Sequence, residues 1–244
     1  MRTRLLQSIL TQLQTLSAVI PLVVQQARTD KIYEVFVLTS LLRALREIGA
    51  QLEVRDADDQ PTGVLWLRLS PGLLNGPMNA AGFVLVEYND NKFEIHSGLR
   101  VGGYSSVLHE LDVSIIERSD AMECREKKEN PEHWAVKALI ECKFYGSKLP
   151  LSVGRQHLGL IDEFGVPMAL LCANSFSSRI EAVLNGRYSQ RARGFRRVYF
   201  DPDLPWRNEY RVPLVRHFML SPLNEETEDR FVGWLAEELR HVLG

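Results

Sequence analysis

Two charged side chains stand at the end of an apolar stretch in a pattern that could do chemistry. Glu141 lies near the end of the apolar run over 135–142, and Lys143 directly follows this run. Successive side chains of a strand point to opposite faces, so a strand here places this carboxylate and ammonium on the same face. Burying either charge alone is costly. The pair is therefore either an ion pair at a strand terminus, or a site where Glu141 binds a hard cation and Lys143 stands beside the attacking water or the scissile phosphate.

Asp112 gives this pair a context, because it lies within a second apolar run over 111–116. An acid there needs a partner or a cation. Mg²⁺ relieves the repulsion between two carboxylates on neighbouring strands and keeps several waters for chemistry. Lys143 nearby can orient a water, help to lower its pKa and counter charge on a pentacovalent phosphorane. These residues predict a phosphodiesterase site with Mg²⁺ as the cofactor and Mn²⁺ as a substitute. Glu110, on the same strand face, stays open as a supporting group or as the true ligand.

A second Glu-x-Lys triplet, Glu126-Lys127-Lys128, has no strand in front of it. It lies in the charge-dense segment from Glu117 to Glu132, and Asn130-Pro131 stand near the end of this segment. We expect this segment to be a solvated loop and assign no chemistry to its triplet.

The combination of Asp112 with Glu141-x-Lys143, each in an apolar strand-like run, resembles the PD-(D/E)XK (restriction-endonuclease-like) nuclease superfamily. The resemblance covers approximately residues 30–175, although Leu111 stands where these nucleases usually have a proline. It implies an α/β (α+β) fold with a central mixed β-sheet flanked by helices, and hydrolysis of DNA phosphodiester bonds. It also implies a divalent metal held by Asp112, Glu141 and the main-chain carbonyl of Cys142.

Two further positions fit the resemblance. Glu34 lies on a helix that precedes the predicted sheet, where many of these nucleases carry a glutamate that joins the metal site; an acid at the edge of the helix's polar face is the alternative. Gln156 lies on the helix after Lys143, and it is similar to a glutamine that some members use to support the site or contact the phosphate. An ordinary surface amide explains Gln156 equally well.

An arginine cluster over 187–216 offers a contact for nucleic acid, although the whole chain has a net charge of only −2. Aromatic residues between the arginines could stack on bases, and arginine clusters of this kind suit phosphate contacts. The alternative is that the arginines cover an irregular segment or pair with acids over 224–238. The residues that we expect to bind nucleic acid are Arg191, Arg193, Arg196 and Arg197.

Other kinds of site find no support in the sequence. The six histidines show no zinc-ligand spacing, and neither a G-x-S-x-G turn nor a phosphate-binding P-loop occurs. Three widely spaced cysteines argue against a disulfide framework, so a reducing cytoplasm is the expected location. The N-terminal apolar stretch is interrupted by Gln7, Gln12 and Gln14, which argues against a signal peptide. No apolar run approaches the ~20 residues of a membrane span.

Hydrophobic periodicity and turn residues predict the elements that position these side chains. We expect a single domain with an N-terminal helical extension over 1–28, a nuclease core over about 29–185, and an Arg-rich, helical C-terminal extension over 186–244. The predicted helices cover 3–27, 29–48, 152–164, 175–185 and 224–243. The predicted strands cover 52–54, 64–69, 83–88, 92–96, 111–116, 135–142 and 166–172.

The leading hypothesis is a Mg²⁺-dependent endonuclease acting on DNA, with RNA still open as a substrate. A role in prokaryotic restriction or anti-phage defence rests on where such folds commonly occur. The terminal amphipathic helices suggest a homodimer, which would suit cutting both strands, and an activator or partner protein fits such systems. Two alternatives remain: a non-catalytic nucleic-acid-binding or protein-interaction module on the same fold, and an interaction scaffold built on the terminal helices.

Overall fold

The computed structural model describes residues 2–74, 81–186, 214–222 and 224–244. Within them a seven-stranded mixed sheet follows chain order, antiparallel from the first strand to the fifth and parallel from the fifth to the seventh. The expected mixed sheet flanked by helices is therefore confirmed. The strands are β1 (Gln51–Arg55), β2 (Phe83–Tyr88), β3 (Asn91–Gly102), β4 (Leu108–Glu117), β5 (Val136–Lys143), β6 (Met168–Ala173) and β7 (Leu214–Met219).

The helices of the described residues surround this sheet. They are α1 (Arg2–Gln14), α2 (Leu22–Gln25), α3 (Thr29–Glu47), α4 (Arg118–Lys127), α5 (Leu151–Phe164), α6 (178–186) and α7 (Glu225–Leu243), with a short 3₁₀ turn at His133–Ala135. One hydrophobic core joins the sheet to α1, α3 and α7, and a second joins it to α5 and α6. No helix in the described part of the chain is long and apolar enough to cross a membrane.

Helix α3 is buried on nearly all sides, because it packs against the sheet as well as against α1 and α7. Its apolar residues, such as Ile32, Phe36 and Leu42, therefore lie all round the helix, as expected for a helix inside a core. This burial also encloses Glu34, which the sequence places among core residues. The N-terminal end of α3 thus brings an acid towards the sheet.

The connection from β5 to β6 determines what covers the end of β5, where Glu141 and Lys143 lie. Parallel neighbours need a crossover, usually a helix, and α5 supplies it between β5 and β6. The side chains of Ile140 and Cys142 pack in the core on the α3 side, whereas Leu139 packs in the core on the α5 side. Because side chains alternate along the strand, Glu141 and Lys143 lie together on the same face as Leu139, opposite to Ile140 and Cys142.

The segment from Glu117 to Glu132 is not the loop that its charge predicts, because α4 occupies most of it. Arg118 and Arg125 lie seven positions apart, on one face of this helix, and both reach the fully buried carboxylate of Glu94 on β3. Arg125 donates to it at 2.7 and 2.5 Å. The helix is thus held by a partner that is distant in sequence, which local charge density does not reveal.

Two other predicted elements are wrong in extent or kind. The helix expected over 3–27 ends at Gln14, since Ser17 adopts a left-handed backbone conformation, and only the short α2 follows. The strand expected over 64–69 is absent from the described sheet; this segment makes only a single bridge, between Val19 and Val64. The remaining predicted helices and strands are confirmed, with boundary shifts of a few residues, except that β3 runs on to Gly102.

Candidate active site

The pairing of β4 with β5 brings Asp112 to Glu141. Val113 faces Ile140 and Ser114 faces Leu139, so the same register continued by one step sets Asp112 opposite Glu141. Asp112 is only 7% exposed, and its Oδ2 accepts a hydrogen bond of 2.7 Å from the backbone N–H of Cys142. That bond fixes the aspartate against the strand that carries the other two predicted residues.

Lys143 completes the predicted trio. Its Nζ lies 3.5 Å from Asp112 Oδ2 and contacts Glu141 Oε1, so one ammonium group bridges both carboxylates. All three side chains are half-buried or buried. The structure therefore brings Asp112, Glu141 and Lys143 together on the same side of the sheet, as the sequence predicts.

Electrostatic coupling within the trio is strong. Burial, and then the charge of Asp112, raise the pKa of Glu141 to about 7, while Lys143 opposes this rise. Burial would by itself lower the pKa of Lys143, but Asp112 and Glu141 raise that pKa above its ordinary value. Lys143 is thus held as an ammonium ion, and Glu141 carries a proton more readily than an exposed glutamate.

Glu34 joins this cluster from α3. It is buried, and its pKa is raised to about 8, first by burial and then by the charge of Asp112. Lys31, one turn earlier on the helix, opposes this rise and donates to Glu34 at 2.9 Å. The influence of Asp112 on Glu34 indicates that the α3 acid belongs to the same electrostatic site as the strand acids.

Lys31 and Glu110 also belong to this cluster. The sequence alone gives Lys31 no role and leaves the role of Glu110 open. Lys31 Nζ lies 3.5 Å from Glu110 Oε1. Burial opposes a raised pKa of Lys31, but Glu34, followed by Glu110 and Asp112, raises this pKa. Glu110 also raises the pKa of Glu34 and of Glu141. Its position on β4, two residues before Asp112, was the available signal; for Lys31 the signal was its spacing of three residues from Glu34 on a helix.

The charges of this cluster do not balance. Four carboxylates, those of Glu34, Glu110, Asp112 and Glu141, stand against the ammonium groups of Lys31 and Lys143, which leaves a formal charge of −2 when all six are ionised. Burial, and then the charge of Asp112, raise the pKa values of Glu34 and Glu141, so proton uptake is one way in which the site reduces this excess. A divalent cation would neutralise the same charge, and carboxylate oxygens are the ligands that Mg²⁺ prefers.

The carboxylates are not arranged as a ready-made metal site. Among the described residues, no three His, Cys, Asp or Glu side chains form a group that could hold a metal ion. The contacts explain why: Lys143 bridges Asp112 and Glu141, and Lys31 pairs with Glu34. The residues therefore suit a divalent cation by donor type and by charge, and the two lysines would compete with it for the carboxylate oxygens.

The other predicted site residues are separate from this cluster. Gln156 is exposed on α5, and its supporting role remains a prediction. Arg191, Arg193, Arg196 and Arg197 lie outside the described residues. His157 is fully buried on α5. Burial, and then the charge of Lys143, lower the pKa of His157 to about 3. Nothing in the sequence signals this relationship between the two residues.

No family model, curated protein or solved structure matches this chain.

Proposed function

We propose that this protein is a divalent-metal-dependent nuclease that hydrolyses DNA phosphodiester bonds. The observation that carries the proposal is the meeting of Asp112, Glu141 and Lys143 at one point of the β4–β5 pair, inside a cluster with excess negative charge. Such an arrangement is costly for stability unless a cation compensates it.

The order of elements supports a core of the PD-(D/E)XK type. Helix α3 carries Glu34, the antiparallel strands β3 to β5 follow, and α5 then crosses to the parallel strand β6. The acids and the lysine lie on the elements that the resemblance implies for them. The glutamine of the resemblance corresponds to Gln156 on α5.

In the proposed site Asp112, Glu141 and Glu34 would hold Mg²⁺ or Mn²⁺, together with the main-chain carbonyl of Cys142. The metal when bound supplies an acidified water and neutralises charge on the phosphate oxygens. Lys143 acts as a cation, because its raised pKa keeps it protonated, and it stabilises negative charge as it builds up on the oxygens of the reacting phosphate. The hydrogen bond from Cys142 to Asp112 keeps that carboxylate in place throughout.

Plasmid cleavage tests the proposal. Purified protein is incubated with supercoiled DNA and Mg²⁺ or Mn²⁺, in parallel with Glu141→Gln and Lys143→Met. The second Glu-x-Lys triplet provides a matched control, since Glu126→Gln with Lys128→Met removes the same two residue types from α4 and its C-terminal cap. We expect nicking or cutting by the wild type and the control, and its loss in both site variants. Cleavage that survives both site variants would overturn the proposal.

A second candidate function is a non-catalytic nucleic-acid-binding or protein-interaction module on the same fold. The observation in its favour is that the lysines satisfy the carboxylates, so that no metal group is preformed among the described residues. Wild-type protein that binds DNA and leaves it intact with every metal would favour this alternative. An RNA substrate in the same assay distinguishes the two nucleic acids.

The biological setting is a further part of the proposal. Restriction or anti-phage defence fits an endonuclease of this kind, and a homodimer would place two sites on the two strands of a duplex. An activator or a partner protein would then switch cleavage on. Analytical ultracentrifugation with and without DNA measures the oligomeric state.

A further inference from the structure

We infer that Lys31 is a second working cation of this site: it competes with the divalent metal for Glu34, and it contacts a phosphate of the nucleic acid once the metal has displaced it. The inference rests on the proposed nuclease function and adds a residue that neither the Glu-x-Lys triplet nor the resemblance to nucleases identifies.

The geometry places Lys31 between two acids of the cluster. Its Nζ lies 2.9 Å from both carboxylate oxygens of Glu34 and 3.5 Å from Oε1 of Glu110. That Glu110 oxygen is buried and accepts no hydrogen bond. The lysine side chain is 20% exposed, so its ammonium group lies at the boundary between the acids and solvent.

Lys31 lies at an unfavourable position with respect to the dipole of its helix. It is the third residue of α3, within the first turn, where the positive end of the helix dipole disfavours a cation. The same turn contains Asp30, which does suit that position. What compensates Lys31 is the pair of carboxylates, Glu34 and Glu110, so its favourable contacts belong to the site.

A divalent cation would compete with Lys31 for the carboxylate of Glu34. Both oxygens of Glu34 are engaged by the ammonium group, and a divalent cation needs at least one of them at much shorter range. Coordination of Glu34 to such a cation would therefore weaken the hold of this carboxylate on Lys31. A lysine on a flexible stem, partly exposed and no longer paired there, is then free to bind an anionic phosphate of the DNA backbone.

Two measurements on Lys31→Met test this. Titration with Mn²⁺ alone measures metal affinity, and DNA binding in Ca²⁺ measures substrate affinity. Removing the competing cation should tighten Mn²⁺ binding several-fold. Removing the cation that binds phosphate should weaken DNA binding several-fold and reduce the slope of log K against log salt by about 0.9. A residue that merely supports the fold would not move these two affinities in opposite directions.

The matched control is Lys137→Met. Lys137 is half-buried, like Lys31, and it is paired with Glu117 at 2.8 Å. It lies on β5, six residues before Lys143 and about 20 Å away along the strand. We expect this variant to leave both affinities unchanged. Lys31→Arg, which keeps the charge, should retain wild-type DNA binding, and Lys31→Gln replaces Lys31→Met if the latter does not fold.

The outcomes separate the inference from the function on which it rests. Wild-type protein that binds no Mn²⁺ and cuts no DNA contradicts the proposed nuclease. Wild-type protein that binds Mn²⁺ and cuts DNA, beside a Lys31→Met variant with unchanged or weaker Mn²⁺ binding, overturns the role of Lys31 alone.

Discussion

The carboxylate of Asp112 accepts a hydrogen bond of 2.7 Å from the backbone N–H of Cys142, the residue between Glu141 and Lys143. The acid of β4 is thus anchored to the backbone of β5 at the centre of the Glu-x-Lys triplet. Its position depends on a main-chain group, which no substitution in β5 other than Cys142→Pro removes. Its charge, in contrast, can be removed with little change of shape.

Replacing Asp112 with Asn separates these two contributions. The amide oxygen can still accept from Cys142, so we expect the free energy of unfolding to change little. DNA cleavage should fall by about 10²-fold or more, because the charge at the metal and phosphate is lost. Chemical denaturation and plasmid cleavage measure the two effects. Asp112→Ala is the companion variant, and it should also destabilise the fold by about 1–3 kcal/mol, since a buried N–H loses its acceptor. Full cleavage by Asp112→Asn would contradict a charged role.

The raised glutamate pKa values predict how the stability of the metal-free protein depends on pH. The pKa is raised to about 7 for Glu141 and to about 8 for Glu34, from an ordinary value of 4.5. A carboxyl whose pKa is higher in the folded state contributes stability below pH 4.5, and this contribution is lost as the pH rises through the folded value. The lowered pKa values of the buried His96 and His157 act in the opposite direction below about pH 6.5, so we expect the free energy of unfolding in EDTA to fall between about pH 6.5 and pH 8.

Urea unfolding at a series of pH values measures this loss, which should be on the order of 1–3 kcal/mol. Glu34→Gln is the test variant, because a neutral amide should reduce the loss and make the metal-free protein more stable at pH 8. Mg²⁺ should raise the melting temperature of the wild type more at pH 8 than at pH 6, since protons compete for the same oxygens. A Mg²⁺ effect that is equal at both pH values would argue against metal binding at these acids.

Part of this site could be predicted from the sequence, because it depends on the local pattern of strands. Alternation along an apolar run is enough to put Glu141 and Lys143 on one face, and an acid in a second run marks Asp112 as unusual. The β4–β5 register that joins the two runs could only be supposed. Lys31 and Glu110 could not be assigned, since their roles depend on where the first turn of α3 lies relative to β4.

The misassigned α4 has the same physical origin. Considered alone, its charged sequence is that of a solvated loop. The helix is held by the carboxylate of Glu94, which precedes it by more than twenty residues. Arg118 and Arg125 are held by the buried Glu94, whose pKa falls to about 2: burial opposes this fall, and hydrogen bonds from Arg125 and His96 outweigh burial. Tertiary partners of this kind override local composition.

Glu94→Gln tests that explanation. The substitution leaves two arginines without their shared carboxylate, so we expect a loss of about 3–5 kcal/mol in the free energy of unfolding. The control is Glu87→Gln, which removes a partly exposed partner of Lys92 and should cost less than about 1 kcal/mol. Because the pKa of Glu94 is lowered, its contribution is present above pH 4.5 and is lost as the pH falls towards 2. Equal losses for the two variants would show that Glu94 does not hold α4.

Substitutions in the arginine cluster over 187–216 should separate DNA binding from cleavage chemistry. Replacing Arg191, Arg193, Arg196 and Arg197 with Ala should weaken DNA binding at every sequence and lower the salt slope by about 0.9 for each phosphate that is no longer neutralised. Metal binding should stay unchanged, since the carboxylates are untouched. Fluorescence anisotropy across a salt series measures the slope. Arg230→Ala with Arg240→Ala removes two exposed arginines of α7 as a control. If this control lowers the slope as much per arginine, the attraction belongs to the general surface and the assignment of the cluster fails.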